Sequence, residues 1–242
     1  LEHDVVGAAG RFGGILWSER TRMGYTLNFA AVWRNFDFLL SGLALSLGLA
    51  VISILIGAAI GLVVAFALTS RSRFALVPAR FYVTVIRNLP ILVLVLFAFF
   101  ALPQMGLRLD KMNSFVLVLS LYSGAYLAEV FRAGLLSIPR GLTEAGLAIG
   151  LTGMQIRGSI IAPLMLRNVL PSLSSTIISL FKDTSLAAAI AVPELTFAAR
   201  KINVESFRVI ETWMVTSALY VATCFLIAAL MRLVERHLAL PR

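Results

Sequence analysis

From Phe38 to Ser70 the chain carries no charged residue, and that run restricts its possible folds more than any other feature. A helix needs roughly 20 apolar residues to cross the hydrocarbon of a bilayer, so this run spans it with residues to spare. Thr212–Met231 is equally clean. Asn88–Leu107 and Met112–Ala128 follow, the first holding Pro90 and Pro103, and Ile160–Phe181 is interrupted only by Arg167. None alternates apolar with polar residues as a barrel wall must, so helices satisfy the backbone inside the membrane. With 60% hydrophobic and 14% charged residues and a mean hydropathy of +0.93, a soluble domain is excluded. The expected fold is an all-α membrane protein. Its five transmembrane helices are placed at about 38–69, 76–101, 113–137, 158–181 and 207–236.

The net charge of +9 lies in short connections between apolar runs rather than in one patch, which excludes a nucleic-acid partner. Arg71, Arg73 and Arg80 crowd the first connection, Arg132, Arg140 and Arg157 the third, and Arg232, Arg236 and Arg242 the C-terminal end. The second, with Arg108, Asp110 and Lys111, is mixed. Basic connections stay cytoplasmic, so the N-terminus is expected outside and the C-terminus inside. Arg11, Arg20, Arg22 and Arg34 oppose that orientation, and an interfacial or re-entrant stretch near Gly13–Trp17 would reconcile them. Residues 1–35 are therefore set apart as an interfacial N-terminal segment ahead of a membrane domain over 36–242. The first thirty residues, Gly-rich and charged throughout, hold no cleavable signal pattern. Cys224 is alone in an apolar run, and His3 and His237 sit at the chain ends, so neither a disulfide nor a metal site is expected. Gly57 and Gly61 form a GxxxG pair, suited to close association of helices, including between two copies.

Glu144–Pro163 is different in kind. Glu144, Gln155 and Arg157 prevent it from spanning, while Leu142, Ala145, Ala148 and Ile149 can form the apolar face of a short helix that Gly150 ends. An interfacial amphipathic helix would use the same residues. The spacing of Glu144-Ala145, Gly150, Ile160 and Pro163 resembles the cytoplasmic "EAA" loop of permease subunits of bacterial ATP-binding-cassette (ABC) importers. Gly146 stands where a second Ala is usual, and Ala162 where a Leu usually precedes the Pro. Gly124–Gly134, Ser137–Gly141 and Ile178–Ala187 resemble the polar amino acid branch of these permeases. So does Ile86–Pro90, with Asn88-Leu89 in place of Gly-Thr. The resemblance runs from about Leu39 to Arg236.

It implies the five-helix fold of type I importers in the bacterial inner membrane, with a coupling loop at about 138–157. Arg140, Thr143, Glu144, Ala145, Gly150 and Thr152 would meet an ATPase subunit. Implied partners are two ATPase subunits, a second permease copy or paralogue, an extracytoplasmic substrate-binding protein and membrane lipid. No GxxxxGK[ST] loop is present, so the chain is no enzyme. It would carry no cofactor, with ATP and Mg held by the partner ATPase.

Charges inside apolar runs point to function. Arg87 precedes Pro90, which frees a backbone carbonyl and suits a broken helix beside a cavity. Arg87 and Asn88 are pathway candidates. So are Ser174, Ser175, Thr176 and Ser179, which follow Pro171; their hydroxyls could instead satisfy freed carbonyls. Glu129 and Arg132 are spaced to pair on one helix face. Lys182 and Asp183, expected just past the fourth helix, suit capping, surface anchoring or the pathway. Arg87 could hold a substrate carboxylate, or simply pair with protein carbonyls or Glu129. An ion-coupled secondary transporter of small polar solutes is the alternative; it needs an acidic relay inside the bundle, for which only Glu129 qualifies, with Arg132 beside it. A serine hydrolase using Ser123-Gly124 or Ser41-Gly42 lacks a histidine within a span.

Arginine-importing relatives are expected to carry an acid in the fourth helix, and none lies between Arg167 and Phe181. Cystine-like or glutamate/aspartate-like substrates are favoured over cationic ones. Leu102-Pro103-Gln104, Gly106, Leu109-Asp110 and Val192–Leu195 look closest to cystine permeases, and Val234-Glu235-Arg236 with Leu240-Pro241 to glutamate/aspartate permeases.

Overall fold

The computed structural model describes residues 25–238, all without strand. The stretch near Gly13–Trp17 lies outside the described residues. A helical turn α1 (Ala30–Arg34) leads into α2 (Phe36–Leu68), the longest helix and the axis of the fold. α3 (Arg73–Asn88) follows, then α4 (Ile91–Leu96), prolonged by a π turn over Phe97–Ala101 and a 3-10 turn over Leu102–Met105. α5 (Lys111–Leu136) crosses back, capped at its start by the Asp110 carboxylate on the Asn113 N–H at 3.0 Å. The short helices α6 (Arg140–Ala148) and α7 (Gly153–Ile156) precede α8 (Ala162–Asp183), to which a π turn (Arg157–Ile161) and a 3-10 turn (Thr184–Ile190) are joined. α9 (Leu195–Ser206) and α10 (Val209–Leu238) complete the described chain.

Helices α2, α5, α8 with its flanking turns, and α10 are each long and apolar enough to cross a membrane. The second expected span, 76–101, is not continuous. α3 and the segment from Ile91 meet at 102°. Leu89 and Pro90 take extended backbone, because a proline disfavours helical geometry in the residue before it and brings no N–H to the ladder. Both π turns sit just ahead of a proline, Pro103 and Pro163, whose missing N–H lets the preceding turn widen. The fourth span also differs from its expected end at 181. Lys182 and Asp183 form its last α turn, and the apolar run to Ile190 continues it in 3-10 geometry. α9 occupies the stretch between the fourth and fifth expected spans, where the sequence predicts only a connection.

The core is built on α2 against α5. Ser53, Gly57, Gly61 and Ala65 recur every four residues and are all buried against Ser120, Ser123, Gly124 and Ala128. A Cβ on Gly57 would lie 1.9 Å from Ser123 Oγ and 2.9 Å from the Ser120 carbonyl. One on Gly61 would meet the Ala128 nitrogen and Gly124 oxygen at 3.0 Å. The GxxxG pair therefore closes a contact inside the chain and is spent there, not between copies. Ser123 Oγ is shared between the Ser53 and Ser120 carbonyls at 3.1 Å, a structural use that removes it as a nucleophile.

Two buried carboxylates tie the ends of helices together. Glu194 caps α9, accepting from the Thr196 and Phe197 N–H groups at 2.9 and 2.8 Å, and also from Tyr220 and Ser46 hydroxyls at 3.2 and 3.3 Å. Burial pushes its carboxyl above the ordinary range, and those four donors oppose the shift. Gly42 lets α2 cross this cap, since a Cβ there would stand 3.0 Å from Glu194 and Leu195 backbone atoms. Glu211, at the start of α10, accepts from the Asn28 N–H at 2.7 Å and from the Tyr25 hydroxyl, and faces Arg208 at 3.5 Å. It holds the segment from Tyr25 to Asn28 against the bundle.

Candidate functional site

Two places gather the residues singled out in the sequence. The first is the knob made by α6 and α7. Pro139 has extended backbone and starts α6. Gly150 ends it at φ +83°, with its N–H on the Leu147 carbonyl and the Leu151 N–H on the Gly146 carbonyl, both at 3.0 Å. This is a Schellman closure, in which the left-handed residue satisfies the last helical carbonyls. Thr152 and Gln155 then cap α7 reciprocally, Thr152 N–H to Gln155 Oε1 at 2.8 Å and Gln155 N–H to Thr152 Oγ1 at 3.4 Å.

The two helices fold together through Gly146. It is buried against Ile156, and a Cβ there would come within 2.8 Å of Ile156 Cγ1. The departure from the usual Ala is thus matched by a bulky partner filling its space. The apolar positions Leu142, Ala145, Ala148 and Ile149 face outward instead of packing on the bundle. Leu147 is exposed too, and Ile149 and Met154 are 76% and 78% exposed. Arg140, Glu144, Ala145, Gly150 and Thr152 are exposed on the same knob, and Thr143 is half-buried. It is an apolar, unpartnered projection with a rigid frame.

The second place is a cavity of about 360 Å³ between α5 and α8, lined by Tyr122, Tyr126, Ser175, Thr176, Ser179, Leu180 and Asp183. Tyr122 donates to the Tyr126 hydroxyl at 3.1 Å, and the rings stand 4.7 Å apart. The Arg87 guanidinium lies over the Tyr126 ring, 5.0 Å from its centroid. Ser175 and Thr176 hydroxyls both donate to the Ser172 carbonyl, at 2.9 and 2.8 Å, so their oxygens keep lone pairs toward the cavity. Ser174 does not line it, and Asn88 donates back to the Thr84 carbonyl at 2.7 Å.

Glu129 pairs with Arg132, not with Arg87, at 2.6 Å. With Glu194 and Glu211 engaged in caps and anchors, no acidic relay forms among these groups. Sequence reasoning gave no role to the two tyrosines, although hydroxylated aromatics four residues apart on one membrane helix mark a polar face. It also placed Asp183 beyond its helix, whereas the last α turn brings it into the cavity with the serines.

The described geometry can be set beside known proteins. Residues 57–240 match the family described as binding-protein-dependent transport system inner membrane component. The glutamine transport system permease protein of Escherichia coli (strain K12) is 36% identical over 213 residues, covering 87% of this chain and 97% of that protein. The L-cystine transport system permease protein of Bacillus subtilis (strain 168) is 34% identical over 222 residues, covering 89% and 93%. A crystal structure of an amino acid ABC transporter superposes with a TM-score of 0.81 at 29% identity, over 88% of this chain and 100% of that one.

Proposed function

The chain belongs to the binding-protein-dependent transport system inner membrane components, as an amino acid ABC importer permease, and we propose that its cavity passes a neutral or acidic zwitterionic amino acid. One observation carries this: a hydroxyl-lined space has Arg87 over one wall and Asp183 in another. A guanidinium suits an α-carboxylate and an aspartate an α-ammonium, with the tyrosine, serine and threonine hydroxyls between them. Once Asp183 is engaged, the lining offers no second carboxylate to a cationic side chain, and an unpaired buried charge is strongly disfavoured. Resemblance to glutamine and cystine permeases supports a polar neutral substrate, without choosing between them.

The exposed apolar residues of the α6–α7 knob suit docking on an ATPase subunit, which would hold ATP and Mg. Two such subunits, two permease chains (copies or paralogues) and an extracytoplasmic binding protein complete the proposed particle, with this chain's C-terminus cytoplasmic. The complete complex in proteoliposomes, offered binding protein with glutamine, cystine, glutamate, arginine or lysine, tests the reading. Neutral or acidic substrates should stimulate ATP hydrolysis and uptake, Arg87→Ala should impair both, and Thr176→Val should change the preference. Saturable high-affinity uptake of arginine or lysine would sink it.

A further inference from the structure

At the end of the bundle that carries α6 and α7 lies a cavity the transport reading does not use. It measures about 480 Å³ and is lined by Phe66, Thr69, Ser70, Arg71, Leu135, Leu136, Arg157 and Ile161. Neither arginine makes an ion pair among the described residues, and no carboxylate lines the space. Phe66 also forms part of a second cavity of about 380 Å³ whose wall is wholly apolar, including Ala58, Ala59, Leu62, Phe131 and Met165. The two share a wall and run from the ends of α2 and α5 inward along the spans. From Leu68 to Ala58 the helix rises roughly 15 Å at ~1.5 Å per residue, about half the ~30 Å hydrocarbon thickness.

We propose that this groove holds an anionic glycerophospholipid, its phosphate between Arg71 and Arg157 and one acyl chain in the apolar slot beneath Phe66. The chemistry favours a lipid over a second copy of the chain. Two unpaired guanidiniums at the level where spans end attract phosphate. A like groove on another copy would bring four arginines together in a membrane interface. Arg157 opens the π turn that connects the α6–α7 knob to α8, so the bound lipid would brace the knob's base. The inference is independent of the substrate reading, since it rests only on the membrane-spanning fold and on residues outside the cavity between α5 and α8.

Native mass spectrometry of the purified transporter complex, with phosphatidylglycerol or phosphatidylcholine added in detergent, tests it. Phosphatidylglycerol should be retained and phosphatidylcholine lost. Each arginine near the surface contributes about fivefold in anionic-lipid affinity, so Arg71→Gln with Arg157→Gln should weaken retention by about 25-fold. Ala59→Phe, an exposed position at the slot, should weaken long-chain phosphatidylglycerol and spare a dihexanoyl form, which separates slot filling from loss of fold. Millimolar inorganic phosphate should not displace the long-chain lipid. Equal retention of phosphatidylglycerol by the double variant, or of both lipids by the wild type, would overturn the proposal. So would efficient bismaleimide crosslinking between copies carrying Ala59→Cys with Cys224→Ala.

Discussion

Gly150 offers the sharpest test of how the knob is built. It sits at φ +83°, and a Cβ placed there meets no atom within 4 Å. Any loss on substitution within the chain is therefore backbone strain, not a clash. Holding an L-residue in left-handed geometry costs about 1–2 kcal/mol, less for asparagine and more for a β-branched side chain. At ~1.4 kcal/mol per decade, that is a factor of about 5 to 30 in the ratio of closed to frayed loop. If the ATPase recognises the closed knob, its apparent affinity falls by the same factor. Titrating purified ATPase subunit against permease in nanodiscs, with hydrolysis as readout, should show half-saturation rising about 5-fold or more for Gly150→Ala. Gly150→Val should be worse and Gly150→Asn nearest to wild type. Wild-type half-saturation for Gly150→Val would refute the reasoning, and equal loss in all three variants would place the cause at the partner surface instead of the backbone.

Gly57→Leu should prevent stable folding of the single chain, because its Cβ alone overlaps Ser123 Oγ at 1.9 Å, and overpacking of a tight core costs about 1–3 kcal/mol or more. Detergent thermostability of the protomer reads this, and loss of association alone would contradict it. Tyr126→Leu should reduce uptake several-fold, since the stacked Arg87 loses a contact worth about 0.5–2 kcal/mol, while Tyr126→Phe, which keeps the ring beneath Arg87 and loses only the hydroxyl, should reduce it less. Glu194 carries a pH signature. Its carboxyl is raised above the ordinary 4.5, so the folded chain binds that proton more tightly than the unfolded one, and its contribution is fullest below that value and lost as pH rises through the raised one. The melting temperature of Glu194→Gln minus that of the wild type should therefore grow as pH rises from about 4.5 and then level off, and a flat difference would refute this.

The spans were legible because hydrocarbon leaves a chain few choices: an unbroken apolar run such as Phe38–Ser70 must be helical, whatever packs beside it. The end of α6 was legible for an equally local reason, a glycine where a helix must turn left-handed. What escaped depended on partners distant in sequence. Gly57 and Gly61 advertise a close helix contact but not which helix, and the answer lay in Ser120–Ala128. Glu194 reads as an ordinary loop acid until Ser46 and Tyr220 are brought to it from two other helices. The 102° bend was half visible, since Pro90 announces a break but not its angle. Asp183 was misplaced because the end of the fourth span was read from apolarity, whereas α-helical bonding carried the helix past Phe181 and Lys182.

The placement of polar groups in the spans argues for how the chain is used. Arg87, Ser175, Ser179 and Lys182 are exposed on the single chain, around the cavity that holds Tyr122 and Asp183. A lipid-facing charge at such a level is costly, and charged side chains within spans turn toward protein or water. The opposite requirement holds for Val51, Leu55 and Val63 on α2, which are exposed, wholly apolar and suited to lipid. The exposed residues of α2 thus fit hydrocarbon, and the polar groups around the cavity do not. A second permease chain set against the Arg87 side would cover these groups and enclose the cavity between two such walls, which supports a paired arrangement with the pathway at the seam.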